Sequence, residues 1–195
     1  MQEVKQLYHP DFEHDACGTG FTVHIKGRKS HQIIRDALTM LENMEHRGAC
    51  GCEQNTGDGA GILIQLPHEF LYDECLKIGI SLPEFGKYGV GMVFFPKEPR
   101  WREECREILA RAAEKLGLDI LGYRKVPVRP DGIGESALSV EPEIEQVFIA
   151  CPHHIADNDE FERKLFVLRN YVSKTVRNTV PKEKALFYFA SLSTK

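Results

Sequence analysis

The stretch EHDACGTGF, Glu13–Phe21, decides how the rest of the chain is read. It sets Cys17 between a patternless acidic leader and the first residues that alternate. Upstream, residues 1–16 show neither helical nor strand period, are interrupted by Pro10, and carry Glu3, Asp11, Glu13 and Asp15. They read as a leader, partly ordered at best. Downstream, apolar Phe21, Val23 and Ile25 alternate with Thr22 and His24. That alternation predicts a strand over 18–25 with one buried face, ended by the turn KGRKS.

A thiol at such a junction has two readings. One is a small buried hydrophobe, the usual role of an isolated cysteine. The other is a nucleophile. If the peptide bond between Ala16 and Cys17 were cut, Cys17 would become an amino terminus and carry its own base. An α-amine titrates near ~8, so a useful share is neutral at neutral pH. It can take the thiol proton directly or through one water. Gly18 leaves room beside it for a substrate carbonyl. His14 and His46 are other possible bases, but nothing in the sequence brings either close.

Outward from this junction the chain alternates helical and strand periods. Ser30 caps a helix expected to run to about His46, with Ile33, Ile34, Ala37, Leu38, Leu41 and Met44 in one stripe. ILIQL (62–66) reads as a buried strand stopped by Pro67. A short helix is expected over 67–77, and a strand over 88–95. A strongly amphipathic helix follows over 99–117, its charges from Arg100 to Lys115 forming the solvated face. Strands are expected over 119–128 and 144–151, with RPDGIGESA as a loop between them. A helix over 161–176 and a last strand over 185–193 complete the order. The pattern suits a layered α/β or α+β domain.

A second chemical candidate is MEHRGACGCEQNTGDGAGI, Met44–Ile62. Arg47 closes a helix there, before a loop with glycines at 48, 51, 57, 59 and 61. Such a loop can approach a reacting centre closely, and its amides can meet anions. It can equally be an exposed turn with a capping Arg and Gly. It is not a phosphate-binding P-loop, because no glycine-lysine-serine/threonine ending is present.

Composition narrows the classes. The chain has 195 residues, 42% hydrophobic and 28% charged, with formal net charge −4. No basic surplus argues for nucleic acid or an anionic membrane. No apolar run reaches a membrane span, and the leader lacks the basic start and apolar core of a signal peptide. The six cysteines, 17, 50, 52, 75, 105 and 151, therefore read as reduced thiols of a cytoplasmic protein. Cys50 and Cys52 are badly spaced for tetrahedral zinc, and CPHH (151–154) supplies no completing pair. No metal site is expected.

Taken together, ACGTGF, MEHRGACG and TGDGAGILIQLP resemble the amino-terminal glutaminase domain of glutamate synthase large subunits, among the class II amidotransferases. The resemblance is strong over Cys17 to Leu66 and weaker to FYFASLSTK. It implies an α+β fold, a four-layer αββα sandwich of the amino-terminal-nucleophile hydrolase type, incomplete at the carboxy terminus. Residues 1–16 would be a propeptide, and 17–195 the amino-terminal part of the glutaminase domain. Cys17 would be the catalytic nucleophile, with Arg47, Gly48, Asp58 and Gly59 as active-site support.

L-glutamine would be hydrolysed to glutamate and ammonia, and the ammonia passed to 2-oxoglutarate. FMN and an iron–sulfur cluster are expected in later domains of the full-length enzyme, with none in this segment. The remaining synthase domains, and a small electron-donating subunit, are the expected partners. The family's Asn-Gly oxyanion pair is absent from all 195 residues. It and the substrate-binding residues are expected beyond Lys195, so the segment alone should be poorly active. Two alternatives stay open. One is another class II amidotransferase, serving sugar, purine or asparagine synthesis. The other is an inactive, truncated module that binds a partner.

Overall fold

The computed structural model describes residues 18–44, 53, 56–57, 59–181 and 186–195. They fall into two compact units. The first is drawn from Met1–Ile64 and Pro130–Ser139, and the second from Gln65–Arg129 and Val140–Lys195. The expected leader lies outside the described residues.

The second unit is built on one antiparallel sheet. Its strands are β1 (Tyr88–Phe95), β2 (Asp119–Lys125), β3 (Glu143–Ala150) and β4 (Tyr188–Ser193), in the order β2-β3-β1-β4. With helices between these strands, the α+β expectation holds. The sequence explains the faces. In β1, Val93 and Phe95 point to one side and Tyr88 to the other, because successive side chains alternate. In β3, Val147 and Ile149 oppose Phe148 in the same way.

Helices α3 (Pro99–Lys115) and α5 (Asn158–Thr179) cover the first face. Proline at the start suits α3, where a missing N–H costs nothing. The stripe Cys105, Ile108, Leu109, Ala112 and Ala113 is buried. In α5 the Asp157 side chain accepts from the Asp159 N–H at 3.0 Å, and Phe161, Leu165, Leu168, Val172 and Val176 are buried. Gly89 lets α5 close on the sheet: a Cβ there would stand 2.6 Å from Leu165 Cδ1. The opposite face packs Leu66, Leu71, Cys75, Ile80 and Leu82 against Tyr88 and Phe148, with Leu71 and Cys75 supplied by α2 (His68–Lys77). Val90 packs against that patch, and beyond it Met92, Phe94 and Ile144 are half-buried and Tyr188 is exposed.

The edge strand β4 holds a bulge. Met92 pairs with Ser191 but Val93 with Phe189, so Ala190 has no opposite residue. Phe189 and Leu192, three apart, thus both reach the same core. Its end is pinned by α5, where Glu162 Oε1 accepts from Ser193 Oγ at 3.0 Å and Thr194 N at 2.7 Å.

In the first unit, α1 (His31–Asn43) starts where Ser30 Oγ accepts from Gln32 N at 3.1 Å, and it closes at Met44. Its apolar stripe is only half covered, and none of its residues is fully buried. Two expected strands are absent. Residues 18–25 form no ladder, and Phe21, Val23 and Ile25 are exposed, Phe21 by 86%. Residues 62–66 are likewise irregular; Leu63 is 92% exposed, while Leu66 is buried. Alternation offers a face, but a strand also needs a partner edge for its N–H and C=O groups. No described segment presents that edge to either stretch. The loop expected over 129–137 instead contains a short helix, α4 (Glu135–Ser139).

Candidate active site

Of the five residues assigned to the site, Gly59 alone is described. It is exposed, with φ +84°, a backbone conformation that favours glycine. Cys17, Arg47, Gly48 and Asp58 lie outside the described residues, as do His14 and His46.

Their flanks are on view. Gly20, three residues after Cys17, lies so close to Met40 that an added Cβ would collide with its sulfur. Gly20 therefore lies against helix α1. The turn beyond is set by His24, whose Nδ1 accepts from Lys26 N at 3.1 Å, and by Gly27 at φ +65°.

The glycine-rich loop is tied at its middle. Thr56 N donates to Glu53 O at 3.2 Å, closing a turn. The Glu53 carboxylate folds over that turn and accepts from Thr56 Oγ1 at 2.8 Å. It also accepts from Ser136 Oγ at 2.8 Å and from Ser136 N at 3.3 Å. Hydrogen bonds from Thr56 and Ser136 hold its pKa below the ordinary carboxylate value. Gly134 permits the approach, because a Cβ there would collide with Glu53 Oε2 and Thr56 Oγ1. Local pattern gave no sign of this contact, since its two sides are 83 residues apart. The glycines of RPDGIGESA are the one signal that something passes close.

The described thiols are poor nucleophiles. Burial pushes Cys105 up to about 12 and raises Cys75 and Cys151 as well. Cys75 and Cys105 sit in opposite cores, so they do not fit an iron–sulfur or zinc site, which needs converging thiolates. Cys151 donates weakly to Pro152 O and Ile155 O, while His153 and His154 are exposed. No group of three metal-ligating side chains occurs among the described residues. A cavity of about 360 Å³ between α5 and β4, lined by Arg169, Ser173, Arg177 and Tyr188, includes none of the candidate site residues. No helix among the described residues is long and apolar enough to cross a membrane.

Comparison with known proteins bears on the same residues. The sequence profile of the glutamine amidotransferases class-II matches residues 17–195. The chain is 43% identical over its whole length to the glutamate synthase [NADPH] large chain of Bacillus subtilis (strain 168), covering 12% of that protein. It is 42% identical to the glutamate synthase [NADH] of Schizosaccharomyces pombe over 98% of the chain and 9% of the relative. It is 36% identical to ferredoxin-dependent glutamate synthase 2 of Synechocystis over 94% of the chain and 11% of the relative. The chain thus spans about an eighth or less of the length of these relatives. With a profile match that begins at the cysteine singled out by its neighbours and runs to Lys195, the chain belongs to the class II glutamine amidotransferase family.

Proposed function

We propose that this chain is the glutaminase part of a cytoplasmic glutamate synthase, that Cys17 is its nucleophile, and that residues 1–16 are a propeptide removed to free the Cys17 amine. The observation that carries the reading is where the family match begins, at Cys17 itself. The names of the relatives support the synthase assignment. In this reading the Cys17 amine takes the thiol proton, and the sulfur attacks the side-chain amide carbon of L-glutamine. The tetrahedral intermediate collapses to a glutamyl thioester as the proton passes to the departing nitrogen, and ammonia leaves. Water then attacks the thioester, releasing glutamate and restoring the thiol. Arg47, Gly48, Asp58 and Gly59 frame the reacting centre.

The finer fold belongs to the same proposal. Helices α3 and α5 stack on one face of the β1–β4 sheet, while the other face, beyond the patch that α2 covers, shows half-buried Met92, Phe94 and Ile144. Such a face suits a second sheet, as in an αββα sandwich. Ammonia would be passed to 2-oxoglutarate at a synthase site elsewhere in the complete polypeptide. FMN, an iron–sulfur cluster and any small electron-donating subunit belong with that site.

The test uses the full-length natural protein. Its mass and amino-terminal sequence should begin at Cys17. A glutamine-analogue electrophile should label that cysteine. Cys17→Ala should abolish ammonia release from glutamine while glutamate formation from added ammonia persists. Full-rate glutaminase activity with Ala16 still joined to Cys17, or labelling that survives Cys17→Ala, overturns the assignment.

A further inference from the structure

We propose that Glu53 is a positioning residue, fastening the glycine-rich loop that carries Gly59 to the segment Gly134–Ser139, so that the loop's place at the reacting centre depends on that segment. The inference rests on the glutaminase reading for its substrate, and on geometry for everything else.

Three otherwise unrelated residue choices meet at one carboxylate. Thr56 supplies a hydroxyl from the loop, and Ser136 supplies a hydroxyl and an N–H from the far segment. Gly134 supplies the space in which the carboxylate sits. Glu53 thus spans both sides, joining the turn it closes with Thr56 to a point 83 residues away. None of these residues belongs to either hydrophobic core. The contact adds no apolar burial, so the packed cores do not need it. What it fixes is the path of the chain toward Gly59, six residues beyond Glu53. A loop with glycines at 51, 57, 59 and 61 has many backbone states to lose on binding. A charged clamp at its middle removes much of that freedom before substrate arrives.

The experiment compares Glu53→Ala, Glu53→Gln, Ser136→Ala and the Glu53→Ala/Ser136→Ala double variant in the full-length natural protein. Amide hydrogen exchange is read over residues 53–59 and 134–139, alongside steady-state glutaminase kinetics. Glu53→Ala and Ser136→Ala should each speed exchange in both segments, including the one not mutated, with the melting temperature unchanged. Glu53→Ala should raise KM for glutamine about tenfold with kcat within about threefold, the scale of one lost charge-assisted hydrogen bond. The double variant should be no worse than Glu53→Ala, and Glu53→Gln, which keeps an acceptor oxygen, should fall between it and the natural protein.

Exchange that quickens only in the mutated segment, or a KM that moves only as far as the melting temperature falls, overturns the proposal. A natural protein that releases no ammonia from glutamine would reject the glutaminase reading instead. The exchange comparison would still decide whether the clamp exists.

Discussion

At the scale of single residues, a short, partly buried ion pair in the second unit joins helix to sheet. Arg106 Nη2 lies 2.5 Å from Glu145 Oε1, and the guanidinium stands 4.9 Å from the Tyr123 ring centre. The partners are unequally sheltered: the Glu145 side chain is 6% exposed and that of Arg106 30%. Removing the cation strands a carboxylate that water barely reaches, whereas removing the carboxylate leaves a guanidinium that still meets solvent and Tyr123. Arg106→Met should therefore cost about 3 kcal/mol in urea unfolding, and Glu145→Ala distinctly less. The reverse order would mean that the guanidinium is the more costly group to leave unpaired. Neither this pairing nor that of Glu53 with Ser136 was legible in the sequence. Charge periodicity assigns Arg106 to the solvated face of α3, and only the sheet's register brings Glu145 beneath it.

At the scale of elements, helices α3 and α5 and strands β1 and β3 were legible almost to their ends. Each carries a full period of buried residues, and each finds its partner within the second unit. The segments 18–25 and 62–66 were misread for the opposite reason. Phe21, Val23 and Ile25 alternate correctly, but alternation does not say which backbone will accept their hydrogen bonds. Helix α4 escaped notice because five residues hold too few turns to show a period. Packing between elements was invisible as well, as at Gly89, where β1 meets α5 with no room for a Cβ. Gly89→Ala should destabilise the protein by about 1–3 kcal/mol as its methyl meets Leu165. Leu165→Ala alone should cost about 2–5 kcal/mol through the space it leaves. The double variant should cost less than the sum, because each change relieves the other. Additive losses in a denaturation cycle would show that α5 does not rest on β1 at this point.

At the scale of the whole molecule, burial governs the reactivity of the described thiols. Cys75 and Cys105 are wholly buried, one in each core, and burial raises both thiols. Alkylation of the native protein should therefore leave Cys75 and Cys105 unmodified, and their reaction should begin only with global unfolding across a denaturant series. Rapid native labelling of either would mean that its core opens locally. The motifs around Cys17 and Asp58 stand out in the sequence because each concentrates unusual residues in a short span, though both residues lie outside the described ones. The tether at Glu53 does not, because its other end lies beyond any local window.

The unmatched Ala190 in β4 separates the strand's length from its register. Residues 191–193 face the same partners on β1 whether or not a residue stands at 190, and Phe189 and Leu192 already share an inner side. A deletion at this point would regularise the ladder without turning any side chain around. The sheet margin thus has a built-in expansion joint, a place where chain length can drift between descendants while the core stays the same.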